Sequence, residues 1–123
     1  MTRILIADDE ETVRGLVARA LQMDGHATVT AQDGAEALDI LSRERGAFDL
    51  LLTDIKMPLM DGIALALATA RDYPKIIIVL MTAYADQRER ASNLDALIHD
   101  VILKPFTLAE IKAAVNGALG AKR

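Results

Sequence analysis

Short apolar runs alternate with longer amphipathic stretches five times along this chain, and few folds accept that pattern. Ile4-Leu5-Ile6-Ala7, Leu50-Leu51-Leu52-Thr53, Ile76-Ile77-Ile78-Val79-Leu80-Met81 and Val101-Ile102-Leu103 are too short to be core helices and are apolar at every position or nearly so. Strands of that character are covered on both faces, and helical segments between them predict an α/β fold with a parallel sheet and helical crossovers. The chain has 123 residues, 52% of them apolar, which is ample for one core. Aromatic residues make up only 3% and tryptophan is absent, so that core must be built from Leu, Ile, Val and Ala.

The strands are expected at Arg3 to Ala7, Ala27 to Ala31, Phe48 to Thr53, Ile76 to Met81 and Asp100 to Leu103. The second alternates weakly and carries Thr28 and Thr30, which suits an edge. The first helix is expected over Glu11 to Met23, with Val13, Leu16, Val17, Ala20 and Leu21 as its buried stripe and Asp24-Gly25 as its stop. Asp33 can cap the second, with Glu36 as reciprocal partner; that helix buries Ala37, Leu38 and Leu41 and ends near Gly46. The third starts after Asp61-Gly62 and ends before Tyr73-Pro74, since the residue before a proline is biased away from helix. The fourth spans about Asp86 to Leu94. Thr107 and Glu110 form a capping box for the fifth, whose core stripe is Leu108, Ile111, Val115 and Leu119; Gly117 and Gly120 weaken its end, and residues 121–123 are expected to fray.

Bulk properties exclude several classes. A net charge of −4 argues against a nucleic-acid surface, and the absence of cysteine excludes disulfides and thiolate metal sites. No apolar stretch is long enough for a bilayer and no signal peptide precedes the first strand, so a soluble cytoplasmic protein is the expectation. The glycine-rich phosphate loop of nucleotide-binding folds is absent.

Polar residues stand where the apolar runs end: Asp8-Asp9, Asp54, Thr82 and Lys104. In a parallel α/β sheet the carboxyl ends of the strands open on one crevice, so these side chains converge there. Asp8, Asp9 and Asp54 together would concentrate negative charge, which is tolerable with a cation; oxygen donors and water suit Mg²⁺. Asp8-Asp9 alone also reads as a solvated cap for the first helix. Asp54 has the placement of a nucleophile that would attack phosphorus and become an acyl phosphate. The loop after it, Ile55-Lys56-Met57-Pro58-Leu59-Met60-Asp61-Gly62, is stiffened by Pro58 and turned by Asp61-Gly62. Thr82 could hydrogen-bond a phosphoryl oxygen, and small Ala83 leaves room for it. Lys104 at a strand end needs an anion, and Lys104-Pro105 is a candidate cis peptide. Met57, Met60 and Met81 read as gap fillers near the site. His26 and His99 lack a second ligand at metal spacing and read as ordinary surface or half-buried histidines.

Taken together and in order, Asp8-Asp9, the segment Asp54 to Gly62, Thr82-Ala83 and Lys104-Pro105-Phe106 resemble the receiver domain of bacterial two-component response regulators, close in architecture to the single-domain chemotaxis regulator. The resemblance runs from Ile4 to Leu119. It implies a doubly wound five-stranded sheet with five helices, flavodoxin-like strand order 2-1-3-4-5, and one receiver domain over residues 1–123 with its core at about 3–119. It implies Asp54 as phosphoacceptor and Mg²⁺ held directly by Asp9, Asp54 and the Lys56 backbone carbonyl, with Asp8 acting through water. Thr82 and Lys104 would bind the phosphoryl group. The donor would be a phosphohistidine on a sensor histidine kinase or phosphotransfer protein. The domain would be a signalling switch rather than an enzyme, catalysing only its own phosphorylation and dephosphorylation. A downstream partner protein would read the face of the fourth helix, fifth strand and fifth helix, where Arg88, Glu89 and Arg90 lie; a phosphorylation-dependent homodimer stays open. No direct contact with nucleic acid and no membrane insertion are expected.

The chain departs from the family pattern at Val101, where receivers commonly carry an aromatic gate three positions before the strand-five lysine. Tyr84 and His99 are candidates to compensate, with no physical argument from the residues for either. Lys56 and Tyr84 flank the acceptor and are expected to hinder water's attack on the acyl phosphate. Three alternatives stand beside this reading. One is a phosphohydrolase of the haloacid dehalogenase type, which wants a second aspartate where Lys56 stands. Another is a degenerate, non-phosphorylated interaction module. The third is the receiver portion of a longer DNA-binding regulator or hybrid kinase, against the favoured stand-alone receiver.

Overall fold

The computed structural model describes residues 1–121. Ten elements alternate along it: β1 (Arg3–Ala7), α1 (Glu11–Met23), β2 (Ala27–Ala31), α2 (Gly34–Arg43), β3 (Leu50–Asp54), α3 (Gly62–Asp72), β4 (Ile77–Thr82), α4 (Ala85–Ser92), β5 (Asp100–Leu103) and α5 (Leu108–Ala121). All strand pairs are parallel and the order is β2-β1-β3-β4-β5, so the predicted fold class and topology hold.

Alternate side chains of each strand feed opposite layers, as the period of two requires. Ile4, Ile6, Leu50, Leu52, Val79 and Met81 pack under α1 and α5 with Val17, Leu21, Ile111 and Val115. Leu5, Ala7 and Leu51 face α2 and α3 with Ala37, Leu41 and Leu65. A third cluster joins Ile78 and Leu80 to α3 and α4 through Ile63, Ala66 and Ala91, and half-buried Val101 packs against it. No helix among the described residues is long and apolar enough to cross a membrane.

The helix ends follow the expected chemistry, with one variation. Thr107 Oγ1 accepts from the Glu110 N–H and Glu110 Oε1 accepts from the Thr107 N–H, both at 3.1 Å, a complete capping box. Asp33 Oδ1 accepts from the Glu36 N–H at 2.8 Å, but Glu36 reaches back to the Gln32 N–H, one residue before the cap. The Lys104-Pro105 peptide is cis.

Several boundaries shift. β3 begins at Leu50 and takes in Asp54; β4 begins at Ile77 and takes in Thr82. Ladder pairing is a backbone matter: Asp54 stays in register with Met81, and Thr82 with Leu103. Phe48 precedes its strand yet is buried in the α2–α3 layer. α4 is shorter than expected, because after Ser92 the chain turns through residues 93–97. Leu16 and Leu108, both expected in core stripes, are 46% and 43% exposed. They border an open apolar groove between α1 and the Lys104-Pro105-Phe106 segment, where no further element among the described residues covers them. The expected fraying falls on Lys122 and Arg123, which lie outside the described residues; Ala121 ends α5.

Candidate functional site

At the carboxyl ends of β1, β3 and β5 the chain brings Asp8, Asp54 and Lys104 together. Asp8 is fully buried and Asp54 is 6% exposed, an unusual place for two carboxylates. Lys104 Nζ donates to Asp8 Oδ2 at 2.9 Å and lies 3.4 Å from Glu10 Oε1 and 3.5 Å from Asp54 Oδ2. One ammonium therefore faces three carboxylates. The remaining oxygens are held by backbone: Asp8 Oδ1 accepts from the Glu10 N–H at 2.9 Å, and Asp54 Oδ1 from the Ile55 N–H at 3.0 Å. Arg14 Nη1 donates to the Asp8 carbonyl at 2.7 Å, tying the start of α1 to the end of β1.

Burial pushes the Asp54 carboxyl up to about 6 from 3.8; Lys104 pulls it down, and Asp8 and Asp9 push it up again. For Lys104, burial works against the charged form, but the contacts to Asp8, Asp54 and Glu10 prevail and its ammonium is held above its ordinary value. The unreacted site thus holds excess negative charge beyond what its one lysine balances.

Asp9, Glu10, Asp54, Lys56, Ala83, Tyr84 and Lys104 line a cleft of about 200 Å³. The donor set suits a hard cation: among the described residues, Asp8, Glu10 and Asp54 offer oxygens within 4.8 Å of one another. Oxygen-only donors, two of them buried, fit Mg²⁺. Exposed Asp9 shares the cleft and raises Asp54 electrostatically, while Glu10 joins the acidic group directly. Glu10 was not singled out from the sequence. The available signal was its place as the residue before α1, in the same strand-end loop as the acidic pair.

Thr82 is fully buried, and its Oγ1 accepts from the Tyr84 N–H at 3.1 Å. Ala83 lines the cleft as expected of a small residue. The Lys56 ammonium sits 4.6 Å from the centre of the Tyr84 ring. Gly62 opens α3 against β3: its N–H donates to the Ile55 carbonyl at 2.7 Å, and a Cβ there would overlap the Asp54 carbonyl oxygen. Asp61 Oδ1 caps α3 through the Ala64 N–H, and Asp61 Oδ2 meets Arg90 of α4 at 3.1 Å. Of the histidines, His26 bonds Asn116 Oδ1 at 3.0 Å and His99 is exposed, both away from this cleft.

Known proteins resemble this chain in sequence and fold. The family of response regulator receiver domains matches residues 4–116. Response regulator MprA of Mycobacterium avium is 35% identical over 117 residues, which cover 95% of this chain and 50% of that protein. This chain spans about half the length of the curated relatives it matches. Response regulator TrrA of Thermotoga maritima, solved in complex with Mg²⁺-BeF, is 33% identical with a TM-score of 0.84, covering 96% of this chain and 99% of that one. A CheY-like receiver domain protein of Methanospirillum hungatei is 26% identical with a TM-score of 0.90, covering 99% and 96%. With the match running from the first strand into the last helix, this chain belongs to the response regulator receiver domain family, a family of signalling modules.

Proposed function

We propose that this chain is a phosphorylation-activated switch that accepts a phosphoryl group on Asp54. The observation that carries the reading is Asp54 itself: a nearly buried carboxylate ending the central strand, 3.5 Å from a lysine and open to a cleft. The donor is a phosphohistidine on a sensor histidine kinase or a phosphotransfer protein. An Asp54 oxygen attacks phosphorus, the P–O bond forms, and the P–N bond to the donor imidazole breaks. The Lys104 ammonium keeps its protons and donates to the incoming oxygens. The Thr82 hydroxyl donates to another. Asp8, Asp9, Glu10 and Asp54, with the Lys56 backbone carbonyl, are the residues that would hold Mg²⁺. When bound, that ion supplies positive charge against the oxygens of the transferring group. TrrA's complex with Mg²⁺-BeF supports the same chemistry here.

Phosphorylation replaces the Asp54 carboxylate with a group carrying a charge of about −1.5 to −2 and new acceptor oxygens. Contacts to Thr82 and Lys104 then favour one arrangement of the segments after β4 and β5. A partner protein reads that arrangement on α4, β5 and α5, or a second copy does. The length of the MprA relatives favours a second setting, in which a receiver of this kind works within a longer regulator.

Intact-protein mass spectrometry after incubation with acetyl phosphate and Mg²⁺ tests the reading. The expected result is a gain of one phosphoryl group, lost in Asp54→Ala and lost with a chelator. Retention of the gain in Asp54→Ala would overturn the assignment of the acceptor.

A further inference from the structure

We propose that Tyr84 senses the state of the Thr82 hydroxyl and passes it to α4, a role that Val101 cannot fill. The inference rests on the reading that Asp54 is the phosphoacceptor and Thr82 turns toward its phosphoryl group.

Three contacts converge on this one residue. Its backbone N–H donates to Thr82 Oγ1 at 3.1 Å. Its carbonyl accepts from the Gln87 and Arg88 N–H groups, both at 3.1 Å, so it is the cap from which α4 grows. The residue is 48% exposed, and its ring lies 4.6 Å from the Lys56 ammonium across the mouth of the cleft. Lys56 belongs to the loop after β3 and Tyr84 to the loop after β4, so this contact clasps the two loops over Asp54.

A hydroxyl oxygen that swings toward Asp54 has two options. It drags the Tyr84 amide with it, or it leaves that amide without its acceptor. Either displaces the ring from Lys56 and moves the first turn of α4. Little else resists: α4 buries only Ala91, and Arg90–Asp61 is an exposed ion pair, which contributes little. Val101 is half-buried against the α3–α4 cluster, on a branched aliphatic side chain with no polar atom to follow a hydroxyl. Tyr84 is thus a positioning residue, coupled through its backbone rather than through a gating rotamer.

The chain's composition makes a direct test simple, because it has two tyrosines and no tryptophan. In a Tyr73→Phe protein the ultraviolet emission comes from Tyr84 alone. Acrylamide quenching of that emission is read before and after acetyl phosphate with Mg²⁺, and the phosphorylated fraction of each sample is weighed by mass spectrometry. Quenching per phosphorylated molecule should rise, by up to about twofold, since Tyr84 is already 48% exposed while the contact holds. In Lys56→Met, which keeps the backbone carbonyl, quenching should start high and change little. Thr82→Val without any phosphoryl donor should raise quenching in the Lys56 protein by removing the acceptor of the Tyr84 amide.

Phosphorylation without a change in Tyr84 quenching overturns the inference and leaves the acceptor reading intact. An equal change in Lys56→Met also overturns it. Failure of phosphorylation in every form overturns the acceptor reading and this inference with it.

Discussion

β3 and β5 belong to one sheet and both end at the cleft, yet they are held very differently. All five residues of β3 are buried, and Leu50, Leu51 and Leu52 are wholly so. No residue of β5 is fully buried, and Leu103 is 40% exposed. α4 beside it repeats the contrast with α1, which buries Val17, Ala18, Ala20 and Leu21. The strand that presents Asp54 is a fixed reference. The edge that presents Lys104 and the start of α4 is lightly attached. A switch needs both: a reaction geometry that does not drift, and a neighbouring surface that moves for a few kcal/mol.

The strongest way to break this contrast is to truncate one leucine in each strand. Leu51→Ala should cost about 2–5 kcal/mol, the range for a buried leucine that leaves a cavity. Leu103→Ala should cost about 1 kcal/mol, because much of its side chain is already wet. Urea unfolding of the two variants reads the difference; similar losses would show that β5 is as firmly seated as β3.

A second test uses acidity at the end of the fixed strand. Asp54 titrates at about 6 in the folded chain against 3.8 as the reference for the unfolded one, so folding favours its protonated form between those values. The penalty for its burial is absent below the lower value, grows as pH rises, and is complete above the upper one. The stability gained by Asp54→Asn should therefore grow over that window and level off above about 6. Thermal unfolding across pH checks it, and a gain that shrinks as pH rises would reverse the assignment. For the same reason Mg²⁺ affinity should fall as pH drops through about 6, where the proton competes for the carboxylate.

The smallest effect concerns the clasp over the cleft. Lys56→Ala and Tyr84→Ala should each speed hydrolysis of the phosphorylated form by a few-fold, since both residues line the cleft that Asp54 shares and their truncation widens it for water. Loss of the phosphoryl mass with time measures it. Unchanged rates in both variants would remove any shielding role, while leaving the α4 coupling to its own test.

Much of the fold was legible in the sequence because continuous apolar runs have few uses. Helix count and the convergence of Asp8, Asp54 and Lys104 follow once those runs are read as a parallel sheet; the strand order came with the resemblance to receiver domains. What escaped has identifiable causes. Strand ends at Asp54 and Thr82 were placed a residue short, because apolar patterning stops where polarity begins but backbone pairing does not. Leu16 and Leu108 carry the helical period of core residues but lie beside a groove that no other described residues cover, a fact of neighbouring elements rather than of either helix. Glu10 was hidden because an acid before a helix has an ordinary explanation as a cap. The Tyr84 link to Thr82 is made by a backbone N–H, which every non-proline residue has, so no residue type could announce it.

The close seat of Gly62 on the Asp54 carbonyl has a consequence for how this protein can vary. The hydrogen bond between Ile55 and Gly62 closes the intervening loop at its neck, so its tip hangs from a fixed collar. Leu59 at that tip is 85% exposed, with φ at 68°. Doubling such a loop costs only about 0.6 kcal/mol of closure entropy. Insertions and exchanges around Leu59 can therefore accumulate without shifting the carboxylate below the collar. What the tip at Leu59 displays to other molecules is heritable apart from what Asp54 does, while Lys56 at the foot of the same loop stays tied to the cleft.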